Sequence, residues 1–285
     1  MAQRMLALDL DGTTLNHMGE LSDGVRDAVA ALPDEVIVVV ATGRSIIATT
    51  PILTALGIRE GLAVCANGAV TIEIDPKASA GYAIAETVTF DPRPVLDRLR
   101  VALPTARVAV EELGVGFKVS EHFPEGELMG ETRVVEWEEL VAHPVTRVTL
   151  RQPEATAEEF GEMVERAGLH GVSYAVGWSA WLDINPEGVS KASALELVRR
   201  RIGVEPSHTV AVGDQRNDLE MLHWAAWGVA MDNAPDEVKA IADEVAGHVD
   251  DDGLVPILEA LGEAAKNGTP FRDGVHSQAT ARFQV

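Results

Sequence analysis

Two carboxylates one residue apart, Asp9 and Asp11, are the first residues in the chain whose types and spacing could do chemistry. They follow an apolar run from Met5 to Leu8 that predicts a buried parallel strand, and Gly12 then lets the backbone turn. In an extended chain both side chains would share a face, where carboxylates about 4 Å apart repel by roughly 4 kcal/mol at an effective dielectric constant of about 20. A divalent cation would offset that repulsion, and oxygen ligands suit Mg²⁺. The alternative is a plain strand end followed by a helix cap.

Further polar side chains follow the predicted ends of later strands or begin a helix. Because ligands bind outside the carboxyl ends of the strands in an open parallel sheet, we expect these side chains to meet Asp9 and Asp11. A nucleophilic carboxylate, a second acid, a hydroxyl, an ammonium and metal-binding carboxylates are the groups that phosphoryl transfer uses. The residues of this set are Thr42, Gly43, Lys191, Asp214, Asn217 and Asp218.

Each of these positions also has an ordinary structural explanation. Thr42 and Gly43 fit a strand-to-helix turn. Asp214 and Asp218 fit acids at the start of a helix. Lys191 fits a solvated lysine, although the helix dipole disfavours a cation in a first turn and so slightly favours a functional role.

The elements that would position these side chains alternate along both ends of the chain. Predicted strands and helices alternate up to about residue 66, and the same alternation returns after residue 185. This pattern predicts an α/β fold with a Rossmann-like, doubly wound parallel sheet. The strands between residues 84 and 184 have few crossover helices, which predicts an inserted α+β module. We therefore predict a core domain from 1–83 and 185–262, an α+β cap domain at 84–184, and a polar, disordered tail at 263–285.

The charge of the chain excludes two classes of partner. The 285 residues include 45 acidic and 23 basic side chains, which gives a formal charge of −22. Such an acidic surface repels nucleic acid and anionic membranes, so we expect neither as a partner. It also repels a phosphorylated substrate, so a phosphate site must supply local positive charge.

The cysteine, the apolar segments and the histidines indicate the cellular location and the kind of metal site to expect. The single cysteine, Cys65, lies in an apolar stretch and allows no intramolecular disulfide. No apolar segment is long enough to span a bilayer, and the acids at positions 9 and 11 interrupt the short apolar run that a signal peptide would need. We therefore expect a cytoplasmic protein. The eight histidines show no metal-ligand spacing, so we do not expect a zinc site.

Six short motifs, taken in their order and spacing, carry a family resemblance. They are Asp9-Leu10-Asp11-Gly12-Thr13, Ala41-Thr42-Gly43-Arg44, Asn67-Gly68-Ala69, Gly188-Val189-Ser190-Lys191, Gly213-Asp214-Gln215-Arg216-Asn217-Asp218 and Met231-Asp232-Asn233-Ala234. Over about residues 5 to 262 the chain resembles the haloacid dehalogenase-like hydrolases, and among them the Cof-type phosphatases with a large α+β cap.

The resemblance implies a role for each matching residue. Asp9 would attack phosphorus and carry an aspartyl-phosphate, while Asp11 would protonate the leaving oxygen and then activate water. Mg²⁺ would be held by an Asp9 carboxylate oxygen, the Asp11 backbone carbonyl and Asp214, with Asp218 orienting the waters of the metal. The groups that would hold the phosphoryl group are the Leu10 amide, Thr42, Gly43, Lys191 and Asn217. Possible substrate contacts are Arg44 and Asn67.

One position departs from the family pattern. Gln215 follows Asp214, where the subgroup commonly has a smaller polar residue such as Asn or Ser. Its longer side chain could crowd the surroundings of the metal or could point away.

The sequence therefore predicts a Mg²⁺-dependent phosphatase that acts on a small phosphorylated metabolite, either a sugar phosphate or a phosphorylated cofactor. Two alternatives stay open. A phosphomutase would use the same aspartyl-phosphate but return the phosphoryl group to a sugar. A non-catalytic, phospho-accepting module would also combine acids, Thr and Lys on a parallel sheet, although the large insertion and the Asp9-x-Asp11 pair argue against it. The substrate itself and the oligomeric state are not predicted.

Overall fold

The structure is a computed structural model that describes residues 3–176 and 180–269. The strands are β1 (Arg4–Leu8), β2 (Val36–Val40), β3 (Gly61–Cys65), β4 (Val70–Ile74), β5 (Tyr82–Thr87), β6 (Arg107–Glu112), β7 (Gly116–Val119), β8 (Glu131–Val134), β9 (Val148–Arg151), β10 (Val172–Val176), β11 (Trp181–Pro186), β12 (Thr209–Gly213), β13 (Trp227–Ala230) and β14 (Glu244–Val245). The helices are α1 (Asp23–Ala30), α2 (Ile46–Ala55), α3 (Arg93–Ala102), α4 (Trp137–Leu140), α5 (Ala157–Ala167), α6 (Lys191–Ile202), α7 (Leu219–Trp224), α8 (Asp236–Ile241) and α9 (Val255–Asn267). In the described part of the chain, no helix combines the length and the hydropathy needed to cross a membrane.

The described residues divide into two compact units. Within the described residues, the first unit is drawn from 3–43, Thr50–Ala85 and 190–269, and the second from Arg44–Thr49, 86–176 and 180–189. The second unit therefore lies, for most of its length, between two parts of the first along the chain. That the units act as a catalytic core and a cap stays a prediction.

A parallel sheet forms the centre of the first unit. Its strand order is β14-β13-β12-β1-β2, and every neighbouring pair is parallel. The strands are buried apolar runs, as parallel strands covered on both faces must be. Leu8 pairs with Val40 on one side and with Val212 on the other, so the residues that follow β1, β2 and β12 lie side by side. The predicted α/β fold with a doubly wound parallel sheet is confirmed.

A small sheet, β3-β4-β5, continues beside β2, and its strands β3 and β4 are antiparallel. A parallel bridge between Ala41 and Val64 joins β3 to the edge of the main sheet. Strands β4 and β5 were not predicted from the sequence. Almost all of β5 is exposed, so it lacks the apolar alternation that predicts a strand.

The second unit contains a mixed sheet in the order β10-β11-β9-β6-β7-β8. All neighbouring pairs are antiparallel except β7 and β8, which are parallel. Helices α3 and α5 bury apolar residues against this sheet in a common core that includes Leu96, Leu99 and Phe160. This arrangement is the α+β module of the predicted fold, while its predicted bounds, 84–184, stay a prediction.

The predicted disordered tail is wrong for its first residues. Helix α9 continues to Asn267, and Gly268 ends it in the left-handed conformation. Ala264 and Ala265 are buried, so small apolar residues extend the packed face of the helix beyond residue 262. Residues 270–285 of the predicted tail lie outside the described residues.

Candidate active site

Three carboxylates meet beyond the carboxyl ends of β1 and β12. Oxygens of Asp9, Asp214 and Asp218 all lie within 4.8 Å of one another, and all three side chains are buried. Asp9 follows β1 directly and Asp214 follows β12 directly, so the parallel register of these neighbouring strands brings them together. Asp218 ends a short 3-10 turn, Arg216–Asp218, that leads into α7.

Lys191 binds this cluster from the first position of α6. Its ammonium Nζ lies 2.6 Å from Asp9 Oδ1 and 2.7 Å from Asp218 Oδ1, and its side chain is only 1% exposed. Ser190 caps the helix, because its hydroxyl accepts a hydrogen bond from the Ser193 amide and the Ser193 hydroxyl accepts one from the Ser190 amide. The predicted meeting of Lys191 with Asp9 is therefore present in the structure, and a solvated lysine is excluded.

Gly68 determines how closely the start of α6 approaches the sheet. Its φ is +104°, and a Cβ at this position would lie 2.2 Å from the carbonyl oxygen of Ser190. A side chain here would displace Ser190 and with it the neighbouring Lys191.

Asp218 organises the cluster through hydrogen bonds. While its Oδ1 accepts from Lys191, its Oδ2 accepts from the backbone amides of Asp214 (3.1 Å) and Gln215 (2.9 Å). Both carboxylate oxygens are therefore engaged with the protein, which suits a residue that positions its neighbours.

Asp214 is held by three side chains. Its Oδ1 accepts a hydrogen bond from the Thr13 hydroxyl at 3.3 Å, and its Oδ2 accepts from Gln215 Nε2 at 2.8 Å and from Asn233 Nδ2 at 3.2 Å. Gln215 therefore turns toward Asp214 instead of pointing away. Gly12 passes so close that a Cβ there would lie 2.3 Å from Asp214 Oδ2.

Asp9 and the loop after it present free polar groups. Among the described residues, Asp9 Oδ2 accepts no hydrogen bond and the Leu10 amide donates none. The Leu10 carbonyl, by contrast, accepts from the amides of Thr13, Thr14 and Leu15, which closes the loop tightly. Asp11 lies on this loop with an exposed side chain, whereas Asp9 is buried, so the two acids do not share one environment.

The remaining predicted residues of the first unit meet at Asn67. The backbone amide of Asn67 donates to the backbone carbonyl of Thr42 at 3.0 Å. The side chains meet as well, because Asn217 Nδ2 donates to Asn67 Oδ1 at 3.0 Å. Gly43 lies against the same side chain, since a Cβ on Gly43 would be 3.1 Å from Asn67 Oδ1. Arg44, the other predicted substrate contact, is half-buried and belongs to the second unit.

The three carboxylates share one ammonium within the cluster, and burial together with the neighbouring negative charge raises the pKa of Asp9 and of Asp214. Burial raises the pKa of Asp9 well above its usual value, and the charge of Asp218 adds to this rise while Lys191 opposes it. Burial and the charge of Asp218 raise the pKa of Asp214 to about 6. For Lys191, burial lowers the pKa, but the charges of Asp218 and Asp9 outweigh burial, so its pKa rises and it stays an ammonium.

Comparison with known proteins identifies the family. A sequence model of the haloacid dehalogenase-like hydrolases matches residues 6–90 and 126–258. The chain belongs to this family. The resemblance read from the six motifs is thereby confirmed, and so is the prediction that the chain is an enzyme of the hydrolase class.

Relatives of this haloacid dehalogenase-like hydrolase extend over nearly its whole length. Pyridoxal phosphate phosphatase YbhA of Escherichia coli is 28% identical over 281 residues, which cover 90% of this chain and 98% of the relative. Phosphoglycolate phosphatase of Natronomonas pharaonis is 29% identical over 263 residues, which cover 92% and 98%. The solved structure of a phosphatase of the same superfamily from Bacteroides thetaiotaomicron superimposes with a TM-score of 0.73 at 27% identity, covering 92% of this chain and 96% of that one.

Two residues of the hydrolase site were missed as functional residues by the sequence analysis. Thr13 and Asn233 both donate hydrogen bonds to Asp214, and Asn233 also donates to the carbonyl of Gly12 at 2.8 Å. Both lie in motifs that carry the family resemblance, and this membership is the only sequence feature that could have pointed to them. A neutral hydrogen-bond donor can be given a role only when the fold shows that its loop reaches the carboxylate cluster.

Proposed function

We propose that this hydrolase is a Mg²⁺-dependent phosphatase that cleaves small phosphate monoesters through an aspartyl-phosphate on Asp9. The observation that carries the proposal is the buried Lys191 ammonium, placed 2.6 Å from Asp9 Oδ1 beside two further carboxylates. A buried ammonium beside a carboxylate with one free oxygen offers both a nucleophile and a cation for phosphate oxygens. The phosphatase names of the relatives from E. coli and N. pharaonis support the same reaction class.

The donor set of the cluster fits a divalent metal ion. Burial, and after it the negative charge that three carboxylates leave against one ammonium, raises the pKa of both Asp9 and Asp214, and a hard cation would relieve that excess charge. Asp9 and Asp214 would hold Mg²⁺ through carboxylate oxygens and Asp11 through its backbone carbonyl, while Asp218 would orient water ligands. When bound, the ion would neutralise charge on the phosphoryl group.

The reaction would divide into two displacements. Asp9 Oδ2 would attack phosphorus, the bond from phosphorus to the ester oxygen would break, and the Asp11 carboxyl would give its proton to the departing oxygen. Water would then attack the phosphorus of the aspartyl-phosphate, giving its proton to Asp11 and releasing inorganic phosphate and the Asp9 carboxylate. The exposed position of Asp11 on the loop would let it reach the leaving group.

Positioning of the phosphoryl group would fall to the groups around Asp9. The Leu10 amide has no described partner and is therefore available to a phosphate oxygen. Lys191 would supply the local positive charge that a chain of formal charge −22 must provide for an anionic substrate. We assign Thr42, Gly43 and Asn217 to the same task, with Asn67 holding Asn217 in place through the hydrogen bond between them.

The substrate class is a small phosphorylated metabolite. Relatives of similar length are named for two different phosphate monoesters, pyridoxal phosphate and phosphoglycolate, so we assign a class and not one compound. Within this class we place sugar phosphates and phosphorylated cofactors, and we assign the choice among them to the second unit.

Phosphate release from an aryl phosphate tests the proposal. We expect activity with Mg²⁺, none with EDTA, and a loss of at least about 10³-fold in Asp9→Asn, because removal of the nucleophile ends the covalent route. Asp34→Asn, at an exposed acid outside the cluster, is the matched control and should retain full activity. Equal rates in all four samples would refute the proposal. Conversion of a hexose phosphate into its isomer without net phosphate release would instead indicate a phosphomutase.

A further inference from the structure

A second cluster of metal-binding side chains shares no residue with the carboxylate cluster. His17, His248 and Asp250 place one ligand atom each within 4.8 Å of the others. His17 Nδ1 lies 3.0 and 2.9 Å from the two carboxylate oxygens of Asp250, and His248 Nδ1 lies 3.8 Å from Asp250 Oδ2. The two imidazole rings stack, with their centroids 5.5 Å apart and their planes 22° apart.

Backbone hydrogen bonds hold the three side chains in this arrangement. The His17 amide donates to Asp250 Oδ1 at 3.3 Å, and the Asp250 amide donates to His248 Nδ1 at 3.2 Å. The second of these bonds places the lone pair of His248 on Nδ1, where it accepts the Asp250 amide hydrogen, so a cation bound at Nδ1 would take the place of that hydrogen bond. The loop that carries His17 is itself closed by Asn16, whose Oδ1 accepts from the amides of Met18 and Glu20.

The spacing of these atoms fits a small tetrahedral ion. Bonds of about 2.0–2.2 Å to nitrogen and oxygen separate neighbouring ligand atoms in a tetrahedral site by about 3.4 Å. The observed separations from Asp250 Oδ2, 2.9 Å to His17 Nδ1 and 3.8 Å to His248 Nδ1, bracket that value. We propose that His17, His248 and Asp250 bind a divalent transition cation of the Zn²⁺ class, with water completing the coordination.

The donor set separates this site from the carboxylate cluster. Two imidazoles and one carboxylate favour borderline cations such as Zn²⁺, Co²⁺ and Ni²⁺, whereas Mg²⁺ takes oxygen ligands. Sequence spacing gives no sign of the site, because His17 and Asp250 are 233 residues apart and meet only in the folded chain.

The cation would join two loops that both reach the carboxylate cluster. His17 follows the loop of Asp9 and Asp11, while Val249, beside His248, donates its amide to Asn233 Oδ1 at 3.1 Å. Asn233 in turn donates to Asp214. The site would therefore act as a structural clamp on the loops that position the carboxylates.

The test is Zn²⁺ binding by the full chain in saturating Mg²⁺, which occupies sites made only of oxygen ligands. We expect one additional Zn²⁺ per chain, an unfolding temperature several degrees higher, and visible absorption bands when Co²⁺ replaces Zn²⁺. His17→Gln and His248→Gln should each weaken Zn²⁺ binding by about tenfold or more, since each removes a ligand.

His143→Gln, which changes an exposed histidine of the second unit, is the matched control and should bind Zn²⁺ like the unaltered chain. Asp214→Asn should keep the Co²⁺ bands, because the carboxylate cluster is not their source. Unfolding temperatures without Zn²⁺ should agree among the three histidine variants and the unaltered chain, and a cooperative unfolding transition of Asp214→Asn shows that this variant also folds. The proposal would be overturned if the unaltered chain failed to bind Zn²⁺, or if His17→Gln and His248→Gln bound Zn²⁺ as tightly as the unaltered chain.

Discussion

Among single residues, Lys191 has the largest electrostatic consequence. It lies between Asp9 and Asp218 with almost no exposure to solvent, so its charge is the local compensation for two buried carboxylates. Removing one partner from a buried ion pair leaves the other charge uncompensated, which is why such changes destabilise more strongly than the loss of a surface pair.

Lys191→Met should therefore lower both stability and activity. We expect the free energy of unfolding at neutral pH to fall by about 3–5 kcal/mol and phosphate release to fall by at least about 10²-fold. Urea unfolding and a phosphate-release assay measure the two effects. Lys239→Met is the control, because Lys239 pairs with the exposed Asp232 and its loss should cost under about 1 kcal/mol. Similar small losses in both variants would contradict the role given to Lys191.

Metal affinity should depend on pH through the raised pKa of Asp214. The metal-free folded protein holds a proton on this carboxyl up to about pH 6, so a cation must displace it below that pH. Through Asp214, Mg²⁺ affinity should rise by up to about tenfold per pH unit below pH 6 and more gently above it.

The same shift affects folding in the absence of metal. Because the folded pKa is raised, the contribution of Asp214 to stability is present at low pH and is lost as pH rises toward 6. Thermal unfolding at several pH values, with and without Mg²⁺, measures both effects. Stabilisation by Mg²⁺ that was as strong at about pH 4 as at pH 7 would show that no such carboxyl binds it.

Charged residues of the site could be predicted from the sequence, whereas neutral ones could not. Asp9, Lys191 and Asp214 are charged residues at predicted strand ends or a helix start, so their types and their placement together suggested chemistry. Thr13 and Asn233 are ordinary loop residues in the sequence, and only the fold shows that both donate to Asp214.

At the level of elements, the start of α6 is positioned by Gly68. The positive φ of Gly68 and the close approach of Ser190 together leave no room for a side chain. The helix start and the ammonium that it carries therefore depend on a residue that has no polar group.

Gly68→Ala should destabilise the protein by about 2 kcal/mol or more and should reduce phosphate release, because the clash moves Lys191 away from Asp9. Gly57→Ala is the matched control, since Gly57 has a φ of +74° but open space around it. It should cost only about 1 kcal/mol and leave activity intact. Chemical unfolding and the kcat of both variants measure this, and a fully active Gly68→Ala would refute the positioning role.

Which elements could be predicted depended on burial. The strands of the parallel sheet are continuous apolar runs, and their alternation with helices predicts the fold class from sequence. Strands β5 and β8 are almost wholly exposed and gave no such signal. Helix α9 extends into the predicted tail through alanines, which bury well but are weak markers of an apolar face.

At the scale of the whole molecule, the charge of −22 opposes the approach of an anionic substrate. Lys191 is buried and acts only at short range, so the field of the surface governs the encounter. At about 0.15 M ionic strength the Debye length is about 8 Å, so salt largely screens surface charges that lie farther than this from the substrate.

Raising the ionic strength from about 0.01 M to 0.15 M should therefore increase kcat/KM for a doubly charged phosphate ester by several-fold, while kcat changes little. Steady-state kinetics in saturating Mg²⁺ with added NaCl measures this. A monoanionic phosphodiester that inhibits competitively serves as the comparison, and its inhibition constant should change less. A fall in kcat/KM with salt would show that a positive surface guides the substrate.

Acid-quenched peptide mass spectrometry tests the central claim most directly, namely that Asp9 carries the phosphoryl group. The measurement uses Asp11→Asn, in which hydrolysis of the intermediate should slow. The variant is mixed with Mg²⁺ and an aryl phosphate, whose leaving group departs without a proton from residue 11, and is quenched within the first turnover. We predict the added mass of one phosphoryl group on the peptide that contains Asp9, and none when Asp9→Asn is combined with that change. A phosphoryl group on another residue, or phosphate release by Asp9→Asn at the rate of the unaltered chain, would contradict the account.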